Sequence, residues 1–298
     1  MSPYTLILII FIGFFGASSV QAELTPVRLI LKWDHQFQFA GYYAAQWQGF
    51  YAEEGLDVSF TTRPQKDAGL LDLNEELEYG RADFAVGGPT ILQHISDGGE
   101  YVLLSSVFQR SPFSFVVLKD SPIQSLVDLY TDCIETSNDF GELELKSVLI
   151  KEGMPLEKIK WAPFSFGLAG IRSGKCSVVI DYSISAKWAA KEKNIRIREF
   201  NSEQFGVNFY GDVLYTKKSL IDQDPVMVEK FRRASMKGWR YALENPEAVS
   251  KTIEEKLVRV YPYDDNYAYN MMSSHEIKKL MAYPVVEIGH TNIDRWKK

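Results

Sequence analysis

The chain has 298 residues and a formal net charge of −6, with acidic and basic side chains interspersed along it. Without a clustered basic surface it lacks what recognition of a phosphate backbone requires, so nucleic acid is excluded as a partner. Its two cysteines, Cys133 and Cys176, are too few for a disulfide framework or a Cys-based zinc site. The expectation is two separate buried thiols, with a single bridge as the alternative.

The chain opens on an almost unbroken apolar run, Thr5 to Phe15, followed by small residues ending Val20-Gln21-Ala22 before Glu23. The run is shorter than the roughly 20 apolar residues that a membrane helix needs. It has the apolar core and cleavage site of a secretory signal, so residues 1–22 are read as a signal peptide. An uncleaved anchor is the alternative, since no Lys or Arg precedes the run. Either way the remainder is expected to be periplasmic or otherwise exported.

Short apolar strands then alternate with helical stretches. Val27 to Trp33 reads as a strand and Phe39 to Tyr51 as a helix; Gly55 breaks the chain before the strand Leu56 to Phe60. A helix near Asp72 to Tyr79 precedes the strand Ala82 to Val86, and Pro89 opens a helix running to about Asp97. Tyr101 to Phe108 and Phe113 to Leu118 are further strands. The same rhythm returns in the middle of the chain: strand Asp132 to Thr136, helix Phe140 to Glu152, strand Ile159 to Trp161, helix Ser165 to Ser173, strand Ser177 to Asp181. After Asp212 only the short strand Val213 to Tyr215 interrupts a run of helices. Asp224-Pro225 and Asn245-Pro246 mark two helix starts, and Met227, Phe231, Ala234, Gly238 and Ala242 share one face of the first. The β-α-β-α order indicates an α/β protein whose sheets are mostly parallel and flanked by helices.

In open α/β sheets ligands bind beyond the carboxyl ends of the strands. Those ends carry Trp33-Asp34-His35-Gln36, Gly87-Gly88-Pro89-Thr90, Gln109-Arg110-Ser111-Pro112, Ser137 to Gly141 (with Asn138) and Asp181-Tyr182. Aromatic, amide and carboxylate groups recur there, as a planar, hydrogen-bonding ligand requires. The four histidines are scattered without metal-site spacing, and neither a G-x-S-x-G elbow nor a P-loop occurs. No metal, cofactor or catalytic residue is expected. The backbone N–H groups of Gly87-Gly88-Pro89 offer only a weak anion-binding signal.

The blocks Leu31-Lys32-Trp33, Gly41-Tyr42-Tyr43-Ala44-Ala45, Gly49-Phe50-Tyr51 and Gly55-Leu56-Asp57-Val58 resemble the SsuA/THI5-like (NMT1) family. The likeness continues through Gly80 to Phe84, Asn138 to Gly141, Gly174-Lys175 and Phe205-Gly206. Trp33 to Tyr43 looks most like a branch that serves as extracytoplasmic sensor domains. The resemblance implies a two-lobed periplasmic-binding-protein type II fold with two crossovers. Lobe 1 would be 24–112 plus 212–298, lobe 2 113–211, with the ligand cleft between them. Also implied is a monomeric capture protein for a small molecule such as a thiamine-pyrimidine precursor, partnered by an ABC-transporter permease or a membrane sensor.

By the same resemblance Trp33 stacks on a ligand ring, and Asp181 falls where pyrimidine-binding relatives carry a gripping glutamate. One of Tyr42 and Tyr43 is expected to face the cleft and the other the core. Asn138 to Gly141 matches a phosphate-gripping turn, but Asp139 and Glu142 oppose an anion there. Gln109 and Ser111 lie on the first crossover, Tyr210 and Asp212 on the return, as hinge or cleft residues. Together Asp34, Asp181 and Asp212 favour a neutral or cationic ligand. The family also contains a thiamine pyrimidine synthase. Its lysine falls on Gly87, its histidine on Ile91 and its cysteine run on Val207 to Gly211, so its reactive groups are missing here.

Overall fold

The computed structural model describes residues 23–66, 69–130, 132–137 and 140–296. The signal-peptide reading of residues 1–22 and the candidate Asn138 lie outside them. Lobe 1 begins with β1 (Thr25–Leu31), α1 (Ala40–Trp47), α2 (Phe50–Glu53), β2 (Leu56–Thr62) and the small hairpin β3 (Pro64–Gln65) and β4 (Gly69–Leu70). Then come α3 (Leu73–Glu78), β5 (Phe84–Gly87), α4 (Ile91–Ser96) and β6 (Tyr101–Ser106). The chain crosses at 107–112 into β7 (Phe113–Leu118), β8 (Cys133–Thr136), α5 (Phe140–Lys151), β9 (Lys160–Pro163), α6 (Ala169–Ser173), β10 (Val178–Tyr182), α7 (Ser183–Glu192) and β11 (Ile197–Phe200). It returns at 201–212 to β12 (Val213–Lys217), α8 (Lys218–Gln223), α9 (Pro225–Glu244), α10 (Pro246–Lys256), α11 (Asn266–Leu280) and α12 (Ile293–Trp296).

Two five-stranded sheets result, ordered β2-β1-β5-β12-β6 and β11-β7-β10-β8-β9. Each is mixed where mostly parallel sheets were expected. β1 pairs in parallel with β2 and β5, and β8 with β9 and β10. β12 runs antiparallel to β5 and β6, as β7 does to β10 and β11. The antiparallel pairs all involve a strand adjoining a crossover, because a strand entering a lobe from the hinge runs opposite to strands that point their carboxyl ends at it. The single helix read over Phe39 to Tyr51 is two, since Gly49 adopts φ 78°, a left-handed conformation suited to glycine.

The lobe 1 core lies where α1 crosses α9. A Cβ at Gly41 would fall 2.1 Å from the Trp239 ring, and one at Gly238 would fall 2.1 Å from the Gly41 carbonyl. Only glycines let the two backbones approach this closely. The expected face of α9 packs inward, with Phe231, Ala234, Gly238 and Ala242 buried and Met227 at its edge. Asp224 caps that helix by accepting from the Met227 N–H at 2.9 Å. Lobe 2 is tied by a Cys133–Cys176 disulfide, Cα–Cα 4.9 Å. This corrects the expectation of separate thiols: β8 and the turn into β10 are sheet neighbours, a proximity set by topology that sequence spacing does not reveal. Among the described residues, no helix is long and apolar enough to cross a membrane.

Candidate functional site

β1 delivers the first functional residues. Just past its carboxyl end, Lys32 enters the region between the lobes, and its Nζ donates to the Tyr182 hydroxyl of lobe 2 at 2.6 Å and to Asp212 Oδ1 of the return crossover at 3.1 Å. The Tyr182 hydroxyl in turn donates to Asp212 Oδ1 at 2.9 Å, and Gln38 Nε2 donates to Asp212 Oδ2 at 2.7 Å. Phe113 and Tyr182 flank the ammonium with their rings, at 5.8 and 5.2 Å. Asp212 is thus a buried carboxylate with three donors and one neutralising cation, as a charge removed from water must be. These contacts join both lobes and the hinge.

The mouth of the cleft is aromatic. Trp33 stacks on Tyr261 with ring centroids 6.0 Å apart and planes 25° apart, and Phe166 approaches from lobe 2, 5.1 Å from Tyr261 and 6.3 Å from Trp33. Tyr261 and Phe166 remain 37% and 54% exposed, so rings from both lobes present faces that water still reaches. Phe166 is held out by an unusual turn: Gly167 and Leu168 both have positive φ, 65° and 64°. For Leu168 this costs about 1–2 kcal/mol, offset by complete burial of its side chain.

Asp34 positions the mouth without lining it. Fully buried, it accepts the backbone N–H of Tyr261 at 2.7 Å and that of His35 at 2.8 Å, with Arg259 Nε 3.8 Å away. It thereby fixes the ring that faces Trp33. Gln36 accepts from Arg259 at 3.4 Å and donates to Gln38 at 2.5 Å. Mouth and floor therefore belong to one polar chain, from Asp34 through Arg259, Gln36 and Gln38 to Asp212. Arg259 stands beside Asp34 and Lys32 beside Asp212, so two of the three expected carboxylates each have a cation next to them. Asp181, the penultimate residue of β10, is half-buried and accepts the Tyr182 N–H at 2.7 Å.

Other candidates serve packing or the hinge. Tyr42 and Tyr43 are both fully buried, correcting the expectation that one faces the cleft. Tyr42 packs edge-on against Trp239, and Tyr43 lies between Trp47 and Phe60 with its hydroxyl 2.8 Å from His35 Nδ1. Both phenols have their pKa pushed upward by burial. Burial also lowers that of His35 from an ordinary value near 6.5; Asp34 opposes the shift and Arg259 adds to it. Gln109 fastens the first crossover to the Ser106 and His290 carbonyls, at 2.9 Å each. Ser111 donates to Glu144, which also accepts from Ser202 at 2.8 Å, so one buried carboxylate grips both crossovers. Tyr210 is sandwiched in the hinge, stacked on Trp296 at 4.9 Å with the Arg295 guanidinium 3.8 Å from its ring. Gly88 and Pro89 are buried at the end of β5, Gly88 beside Lys32 and Phe140.

Sequence reasoning missed Lys32, Arg259, Tyr261 and Phe166. Lys32 adjoins Trp33 at a strand end, a usable signal. Arg259 and Tyr261 lie on a loop, and Phe166 opens a short 3-10 helix, none with a local mark of function. Among the described residues no group of three or more His, Cys, Asp or Glu could hold a metal. At the synthase-lysine position, a Cβ on Gly87 would fall 2.7 Å from the Tyr215 ring, so a side chain does not fit without displacing it.

Two mixed sheets in two lobes joined by two crossovers define the periplasmic-binding-protein fold. Solved structures agree: an alkanesulfonate-binding protein SsuA from Xanthomonas axonopodis pv. citri aligns with TM-score 0.66 over 93% of this chain and 90% of its own, at 15% identity. A protein from Bordetella bronchiseptica RB50 aligns with TM-score 0.67 over 91% and 86%, also at 15% identity. The chain belongs to the NMT1/THI5-like family, whose model matches residues 36–249. It is 26% identical over 234 residues to the riboflavin-binding protein RibY of Chloroflexus aurantiacus, covering 78% of this chain and 66% of that protein. It is 27% identical over 240 residues to a formylaminopyrimidine-binding protein of Halalkalibacterium halodurans, covering 78% and 71%. This chain thus spans about two thirds of the length of the curated relatives it matches, and those relatives are binding proteins.

Proposed function

We propose that this chain is an extracytoplasmic solute-binding protein that closes its lobes on a small, planar, uncharged nitrogen heterocycle and catalyses nothing. The observation that carries the reading is the ring cluster of Trp33 and Tyr261 from lobe 1 with Phe166 from lobe 2, set beside a charge-neutralised hydrogen-bonding floor. Rings from both lobes can cover a flat ligand only when the lobes close, which couples binding to closure. Trp33 supplies a stacking face, and Asp181 accepts from ring or amino N–H groups. The two curated relatives, named for a flavin and a pyrimidine, are consistent with that ligand class. Delivery would be to an ABC-transporter permease or a membrane sensor, by a monomer released from its signal peptide.

Calorimetric titration with riboflavin and with formylaminopyrimidine tests the reading. One-to-one binding of at least one is expected, weakened about threefold to tenfold in Trp33→Ala beyond the loss of contact area. Tight binding of an alkanesulfonate with no response to either heterocycle would overturn it.

A further inference from the structure

Lys32 points out of β1 toward lobe 2, is the cation beside the buried Asp212, and has a side chain only 15% exposed. Its ammonium has three N–H donors. One goes to Tyr182 across the cleft and one to Asp212 in the hinge. The Tyr182 proton is committed to Asp212, and Asp212 Oδ2 to Gln38. Among the described residues no acceptor takes the third Lys32 N–H. Among the described residues this leaves Lys32 one cationic N–H donor, while Lys32 and Asp212 cancel in charge.

The buried Gly88 is a neighbour of that donor. Its φ is not positive, so its backbone does not need glycine. A Cβ there would lie 3.5 Å from Lys32 Nζ and 3.5 Å from Phe140, and a longer side chain would cover the ammonium. A formal anion placed here would meet Asp212 next to the lysine, and a cation would meet the lysine itself. An uncharged acceptor meets neither penalty.

We propose that Lys32 is the specificity-determining residue of the cleft, donating its third N–H to a carbonyl-type oxygen on the edge of an uncharged planar ligand while its bonds to Tyr182 and Asp212 hold the lobes closed. This rests on the heterocycle reading above and adds the chemistry of the ligand's edge. A ring bearing carbonyls is thereby favoured over the same ring bearing amino groups, because an amino edge would direct its own N–H groups at an ammonium.

The test uses two probes of one shape, pteridine-2,4-dione and 2,4-diaminopteridine, titrated calorimetrically into wild type, Lys32→Met, Lys32→Gln and Tyr182→Phe, with circular dichroism to check folding. Wild type is expected to prefer the dione by about tenfold or more, as loss of a charged hydrogen bond implies. Lys32→Met should lose that preference. Lys32→Gln, which keeps a neutral donor and serves if the Met variant does not fold, should retain part of it. Tyr182→Phe should bind both probes more weakly with the preference kept. A dione preference unchanged in both Lys32 variants, or reversed in wild type, overturns the assignment. Binding of neither probe by wild type would remove the heterocycle reading and the acceptor assignment with it. Small-angle scattering of the ligand-free protein then judges the remaining claim. A larger radius of gyration in Lys32→Met supports Lys32 as the interlobe tie, and an unchanged one refutes it.

Discussion

Two buried ion pairs sit within one polar chain, yet they differ in what they connect. Asp34 and Arg259 lie entirely within lobe 1, and the carboxylate spends its hydrogen bonds on backbone N–H groups of His35 and Tyr261. Lys32 and Asp212 instead share Tyr182, which belongs to the other lobe. The first pair keeps its contacts whether the lobes are open or closed, so it acts as scaffold for the aromatic mouth. The second must give up its Tyr182 contacts when the cleft opens, so its energy depends on conformation. Similar chemistry thus serves rigidity in one place and switching in the other.

The comparison breaks most readily at Asp34. Asp34→Ala strands Arg259, whose side chain is 4% exposed, as an uncompensated buried charge. A stability loss of about 3–5 kcal/mol in chemical denaturation is expected, together with release of Tyr261 from Trp33. A loss below about 1 kcal/mol, the range of surface pairs, would mean the pair is no scaffold.

Lobe 2 offers a control that touches neither pair. The disulfide closes a loop with a sequence separation of 43, and replacing both cysteines by serine should cost about 2–4 kcal/mol. Denaturation followed by hydrogen exchange should place the loss around β8 and β10 and leave lobe 1 protection intact. Equal loss in both lobes would show that they unfold as a single unit.

Tyr182→Phe probes the conformation-dependent pair. It removes the hydroxyl but keeps the ring, whose edge meets Phe113 at 4.6 Å. Stability should fall by only about 1 kcal/mol, read by thermal denaturation, while ligand affinity falls measurably. The opposite pattern, a large stability loss with affinity unchanged, would make Tyr182 a packing residue.

The smallest effect concerns His35, next to the scaffold pair. Because burial lowers its pKa in the folded state, the unfolded chain binds more protons just below 6.5. Stability should therefore decline as pH falls through that value, and level off once the folded-state imidazole also protonates. His35→Gln should remove this component from the pH dependence of unfolding; an identical profile would assign the acid sensitivity elsewhere.

Many strands and helix starts were legible from sequence, because strands, breakers and helix caps are local signals. Asp224-Pro225 opened its helix as read, and Trp33 lies just past the end of β1, stacked on Tyr261. What stayed hidden depends on contacts between distant segments. Tyr42 and Tyr43 face the core because α1 is enclosed by α9 on one side and the sheet on the other, so helical position alone could not free either ring. Arg259 and Tyr261 reach Asp34 from more than 220 residues away. The cations stayed hidden for the same reason: the carboxylates were visible as strand-end residues, but Arg259 and Lys32 are paired with Asp34 and Asp212 only once the chain folds.

On the proposed reading, rings from both lobes hold a planar, uncharged heterocycle between them. The most direct test of that reading is mass spectrometry of small molecules released on denaturing the protein after purification from an exporting host. The expected result is a stoichiometric aromatic nitrogen heterocycle, absent from Trp33→Ala purified in parallel. Recovery of an alkanesulfonate, a simple inorganic anion or an aliphatic amino acid, retained equally by Trp33→Ala, would contradict it.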